Sequence, residues 1–137
     1  MRFNRIFVAA AIAAAATTPA LAQSAGDAAA GKKVFNKCMA CHAVGPNAKN
    51  KVGPELNGIV GEAPAAVEGY SFSAGLKEYA TTHPVWTEAD LTTWLENPRA
   101  VVPKTKMAFP GLKKPEDIAN VIAYLKTFDE TGGPAAN

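Results

Sequence analysis

Cys38-Met39-Ala40-Cys41-His42 is the stretch on which the reading of this chain turns. Both cysteines of the 137-residue sequence lie in it, three apart, and a histidine follows directly. On a helix these three side chains project from one side, so each thiol can add to a haem vinyl group while the imidazole reaches the iron. The pattern therefore predicts one covalent haem c, fastened through Cys38 and Cys41, with His42 as an axial ligand. Three other readings compete. A Cys38–Cys41 thiol oxidoreductase would need a strand leading into the pair within a β-α-β pattern, and none precedes it. A zinc site would need further ligands, yet no other cysteine exists and the second histidine is His83, before Pro84. Chance produces some five-residue matches, but it does not explain why the whole cysteine complement sits in one motif.

On either side of this motif three helices are expected and no strand. Asp27 can cap a helix through Ala30, Val34, Phe35 and Cys38, which share one face. Thr87 with Asp90 three residues on opens a second, with Leu91, Trp94 and Leu95 as its apolar stripe and Pro98 as its stop. Pro115, followed by Glu116 and Asp117, opens a third, where Ile118, Val121, Ile122 and Leu125 repeat at helical spacing. Residues 43–86 are punctuated by glycine and proline and read as one long loop. Such a loop is awkward in a compact domain unless it wraps a large rigid object. The fold class expected is all-α, three main helices with long loops around one haem. The Gly132-Gly133-Pro134 tail, from about residue 130, is expected to fray.

The ends and the charge bound the setting. Arg2 and Arg5, an apolar run from Ile6 to Ala16 and the small-x-small Ala20-Leu21-Ala22 read as an export signal over residues 1–22, cleaved before Gln23. The run is shorter than the roughly 20 residues that span a bilayer. Residues 23–137 then form one domain, exported to the periplasm. That domain carries 12 basic and 12 acidic side chains, but they are segregated. Residues 27–51 sum to +4, 55–96 to −6, 97–114 to +5 and 115–137 to −3. A formally neutral, segregated chain argues against nucleic acid and permits one basic face; a monomer is expected.

An iron held by His42 has a second axial position, and its occupant separates a carrier from an enzyme. Met39 lies inside the attachment motif and faces away. His83 sits in a Thr-Thr-His-Pro turn that suits a solvated side chain. Met107 lies among Pro103, Lys104, Lys106 and Pro110, a poor core segment, so ligation explains it better than packing. The alternative is a haem enzyme or ligand sensor with a displaceable Met107, which would want a distal acid or base that this loop does not offer.

Residues 28–137 resemble the class I c-type cytochromes, the bacterial cytochromes c2 and mitochondrial cytochrome c among them. The likeness is spread over Gly31 to Cys38, Val52 to Gly58, Trp86 to Pro98, Lys104 to Phe109 and Ile122 to Lys126. It implies that Cys38 and Cys41 carry the thioethers, that His42 and Met107 ligate the iron, and that the Pro54 carbonyl accepts the His42 ring N–H. It further implies that Trp86 bonds a buried propionate, that Phe109 shields the haem edge, and that Gly31, Phe35, Val121 and Tyr124 sit where the terminal helices cross. The departures are Glu62 for an arginine, Phe72 for a tyrosine, Trp94 for the tyrosine beside the methionine sulfur, Leu76 for a polar residue, and about three extra residues around Lys77 to Val85. On this likeness the protein is not an enzyme. It is an electron carrier in respiration or photosynthesis, between a cytochrome bc complex and an oxidase or reaction centre. Its docking edge is ringed by lysines, with Lys33, Lys37, Lys49, Lys51, Lys104, Lys106 and Lys113 as candidates.

Overall fold

A computed structural model describes residues 25–136. They form five helices, α1 (Ala28–Phe35), α2 (Ala74–Thr82), α3 (Glu88–Glu96), α4 (Pro98–Val101) and α5 (Pro115–Leu125). No strand is present among the described residues, only an isolated bridge between Phe128 and Pro134. The export signal expected over residues 1–22 lies outside the described residues.

α1 starts where Asp27 accepts hydrogen bonds from the Ala29 and Ala30 N–H groups at 2.7 and 3.0 Å. α3 carries the full reciprocal cap between Thr87 and Asp90. Pro115 opens α5, with Glu116 and Asp117 against its positive end. The most extensive helix contact is between α1 and α5, and α3 packs on α5. Gly31 permits the first crossing: a Cβ there would stand 1.9 Å from the Asn120 carbonyl oxygen. Val34 and Phe35 on α1 and Ile118, Val121, Ile122 and Leu125 on α5 are buried.

Four expectations need correction. α1 ends at Phe35, short of the cysteines, although Cys38 N–H to Phe35 O and His42 N–H to Cys38 O bonds keep the chain coiled as successive turns. α2 stands inside the segment read as loop. Ser73 caps it, but it buries no residue completely, so its apolar pattern is weak. α3 does stop before Pro98, at Glu96 with Asn97 extended, but Pro98 also opens a further short helix, α4, and Asn97 caps both. The segment after α5 is tied down rather than frayed. Ala135 N–H donates to Thr127 O, and the Asp129 carboxylate gathers the Thr131 and Gly133 N–H groups.

Candidate haem site

His42 projects from the last of the turns that follow α1, and its ring is held from two directions. Nδ1 lies 2.7 Å from the Pro54 carbonyl oxygen, so Nδ1 carries the proton and Nε2 keeps its lone pair. Gly53 packs against the ring face: a Cβ there would stand 2.4 Å from His42 Cε1. Burial holds the imidazole pKa below its ordinary value, the Pro54 bond opposing and Lys51 adding to the shift. The neutral form, which donates a lone pair to a metal, is thereby favoured.

His42 borders an open cleft whose lining is mostly apolar. Its walls come from α1, α3, α5 and the loops between them. Phe35 ends α1, Leu91, Trp94 and Leu95 lie on α3, Val121 and Leu125 on α5, and Phe72 and Trp86 flank α2. Met107 reaches the same cleft from the loop between α4 and α5. That loop is braced by Met107 N–H to Thr105 Oγ1 at 3.1 Å, Lys106 Nζ to Ser71 O at 2.6 Å and Leu112 N–H to Leu95 O at 2.8 Å. A second opening adjoins the first, and Cys38, His42, Pro54 and Met107 border both. Cys41, Phe109, Lys37 and Lys106 line the second. The two thiols are free and half-buried. Burial pushes the Cys38 thiol pKa up, with Lys37 opposing and Cys41 adding, so the sulfur is held as the thiol.

The donor set of two thiols, a neutral imidazole nitrogen and a thioether sulfur, gathered around two adjoining openings, fits a haem. Among the described residues no three His, Cys, Asp or Glu side chains are grouped as zinc would need. A family model for cytochrome c matches residues 28–129. The chain belongs to the cytochrome c family. It is 54% identical over 106 residues to cytochrome c2 of Afifella marina, covering 77% of this chain and 86% of that protein. To cytochrome c-550 of Nitrobacter winogradskyi it is 50% identical over 107 residues, covering 78% and 95%. The solved structure of cytochrome cH from Methylobacterium extorquens superposes with a TM-score of 0.68 at 48% identity, covering 74% of this chain and 99% of that one. The fold is that of a class I cytochrome c, its role is electron carriage rather than catalysis, and the family implies haem c.

The sequence departures find definite places. Trp94 is buried, lines the cleft and lies 5.4 Å from Trp86, centroid to centroid. Phe72 lines the cleft and meets Tyr70 edge-on, whose hydroxyl donates to Val52 O at 2.8 Å. Leu76 packs against the core without lining the cleft. Glu62 lines neither opening; burial raises its carboxyl pKa, with Glu55 and then Glu130 adding. His83 is not brought to the site. Its ring stacks on Tyr79 at 3.7 Å, and its Nδ1 lies 3.0 Å from the Tyr79 carbonyl at the end of α2. Met39 is 51% exposed. Reading the sequence missed the Gly53 contact and the small-residue wall of Ala63, Ala65 and Ala66. Ala65 adopts φ 61°, which nothing in an alanine-rich run announces.

Proposed function

We propose that this protein is a periplasmic electron shuttle with a single haem c bound as thioethers to Cys38 and Cys41 and ligated axially by His42 and Met107. The observation that carries this reading is that the His42 ring and the Met107 side chain line one apolar cleft together with Cys38, while Cys41 lines the adjoining opening. When bound, the haem would supply a one-electron couple, which His42 and Met107 would hold and which a thioether ligand would bias toward the reduced state. The chain's own residues do the rest. Pro54 orients the imidazole and strengthens its donation. The braced loop of residues 102–114 brings Met107 to the cleft. Trp86, Trp94, Leu91 and Val121 exclude water, which limits solvent reorganisation as charge changes. Phe109 and the Lys37 and Lys106 side chains border the opening through which an electron would pass.

The donor and acceptor follow from the same resemblance: a cytochrome bc complex on one side, an oxidase or photosynthetic reaction centre on the other. Export rests on the signal read over residues 1–22. Visible and near-infrared spectra of the purified protein test the reading. A covalently retained haem with a methionine-to-ferric-iron charge-transfer band is expected, and Met107→Ala should abolish that band while leaving the haem attached. A colourless protein, or a Met107→Ala protein with an unchanged spectrum, refutes the assignment.

A further inference from the structure

The C-terminal end of the chain closes onto the loop that carries Pro54. Asn57 is 6% exposed and spans one glycine: its Oδ1 accepts from Gly45 N–H at 2.8 Å and its Nδ2 donates to Gly45 O at 3.1 Å. These bonds close the 45–57 loop at its base. Beside His42, Gly53 N–H donates to Cys41 O and Leu56 N–H to Ala43 O, both at 2.9 Å. The Pro54 carbonyl thus hangs from a short ladder that ends at Asn57 and Gly45.

Gly132 presses on that end from outside. A Cβ at Gly132 would stand 2.2 Å from the Gly45 carbonyl carbon and oxygen and 2.8 Å from Asn57 Nδ2. Gly132 has φ 78°, and its N–H donates to Asp129 O at 3.0 Å. The Asp129 carboxylate fixes the turn, accepting from Thr131 N–H at 2.8 Å, the Thr131 hydroxyl at 2.7 Å and Gly133 N–H at 2.9 Å.

We propose that Asn57 and the turn from Asp129 to Gly133 are positioning residues, a clasp that sets how firmly Pro54 holds the His42 ring. The proposal rests on His42 being an iron ligand. Backbone packed this closely cannot absorb a displacement locally, so a shift of Gly45 passes along the ladder. A looser Pro54 bond weakens imidazole donation, costs the oxidised state more than the reduced one, and raises the reduction potential.

The test compares two glycines in the haem-loaded, full-length protein. Gly61 also has positive φ, at 96°, but a Cβ there meets nothing within 4 Å. Gly61→Ala and Gly132→Ala therefore both put a side chain on a positive-φ residue, while only the second collides with the clasp. In Gly132→Ala the His42 Nδ1 proton, followed by NMR in the reduced protein, should exchange with solvent faster than in the parent, and the midpoint potential should rise. Gly61→Ala should match the parent in both. Asn57→Leu keeps the bulk, loses both bonds and should reproduce Gly132→Ala, whereas the milder Asn57→Asp keeps the acceptor for Gly45 N–H and should fall between. Variants that melt earlier while proton exchange and potential stay at parental values overturn the clasp. A parent protein whose His42 resonances show no iron ligation overturns the ligand assignment instead.

Discussion

The side chains at the site do their work through what touches them, and Gly53 is the sharpest case. Its missing Cβ leaves room for the His42 ring; one added at that position would stand 2.4 Å from Cε1 and 2.9 Å from both ring nitrogens. Gly53→Ala should therefore lower haem incorporation about tenfold, the scale of losing a second-sphere partner. Soret absorbance per unit of purified protein measures it, and parental loading would show that the ring has slack. Glu62 makes an opposite prediction about stability. Burial, with Glu55 and Glu130 nearby, raises its carboxyl pKa in the folded state. A group raised on folding contributes stability below its ordinary pKa and loses it as pH rises through the folded value. At neutral pH the Glu62 carboxylate therefore costs stability. Glu62→Gln should raise the melting temperature near pH 7, and the gain should vanish below the ordinary carboxylate range; a gain independent of pH would point to packing. The sequence singles out Cys38, Cys41, His42 and Met107 by residue type and, for three of them, spacing, and the structure brings the four to adjoining openings. Gly53 is not singled out, because its partner lies eleven positions away in sequence and only the folded turn brings them together.

Helices here are as legible as their burial is deep. α5 displays an unbroken apolar stripe because Ile118, Val121, Ile122 and Leu125 are all buried, and the sequence shows the same period. α2 buries none of its residues completely, carries Gly75 and a Thr-Thr end, and is held by the Ser73 cap and partial packing of Leu76 and Tyr79. Its periodicity is too faint to stand out from a segment full of glycine and proline. The α1–α5 crossing belongs to this scale, and Gly31 decides it. In an isolated helix Gly31→Ala would gain about 1 kcal/mol. Here the new methyl meets the Asn120 carbonyl at 1.9 Å and Tyr124 Cβ at 2.8 Å, with backbone on one side unable to yield. Overpacking of this kind costs about 1 to 3 kcal/mol, and at such short contacts the upper end applies, so the substitution should lower stability on balance. Denaturant unfolding of the haem-loaded protein measures it, and a stabilised variant would mean the two helices can slide apart freely. Asn120 adds a tie that no periodicity reveals, its Oδ1 accepting the Asp27 N–H at 2.7 Å.

Across the whole molecule, charge segregation along the chain becomes segregation in space only in part. Lys37 and Lys106 border the opening beside Met107 and Phe109. Both are also anchored, Lys37 to Asp117 at 3.3 Å and Lys106 to Ser71 O at 2.6 Å. Lys104 instead lines a groove with Glu78 and Tyr79 along α2, away from that opening. The sequence revealed the basic segments at 27–51 and 97–114, but which lysines meet at the opening depends on how two loops fold together. Among the described residues no helix is long and apolar enough to cross a membrane. If electrons leave where Lys37 and Lys106 stand, local charge rather than the near-zero total governs encounter with small redox reagents. Oxidation of the reduced protein by the hexacyanoferrate(III) anion should slow as ionic strength rises, most steeply below about 0.1 M, where the Debye length exceeds about 10 Å. A cationic oxidant should show no such slowing. Lys106→Gln should flatten the anion's salt dependence, while Lys77→Gln, on exposed α2 within the acidic segment, should leave it unchanged. Stopped-flow rates at several ionic strengths distinguish these outcomes. Equal flattening by both substitutions would mean that the reagent senses total charge, and the electron exit would then have to be sought away from Lys106.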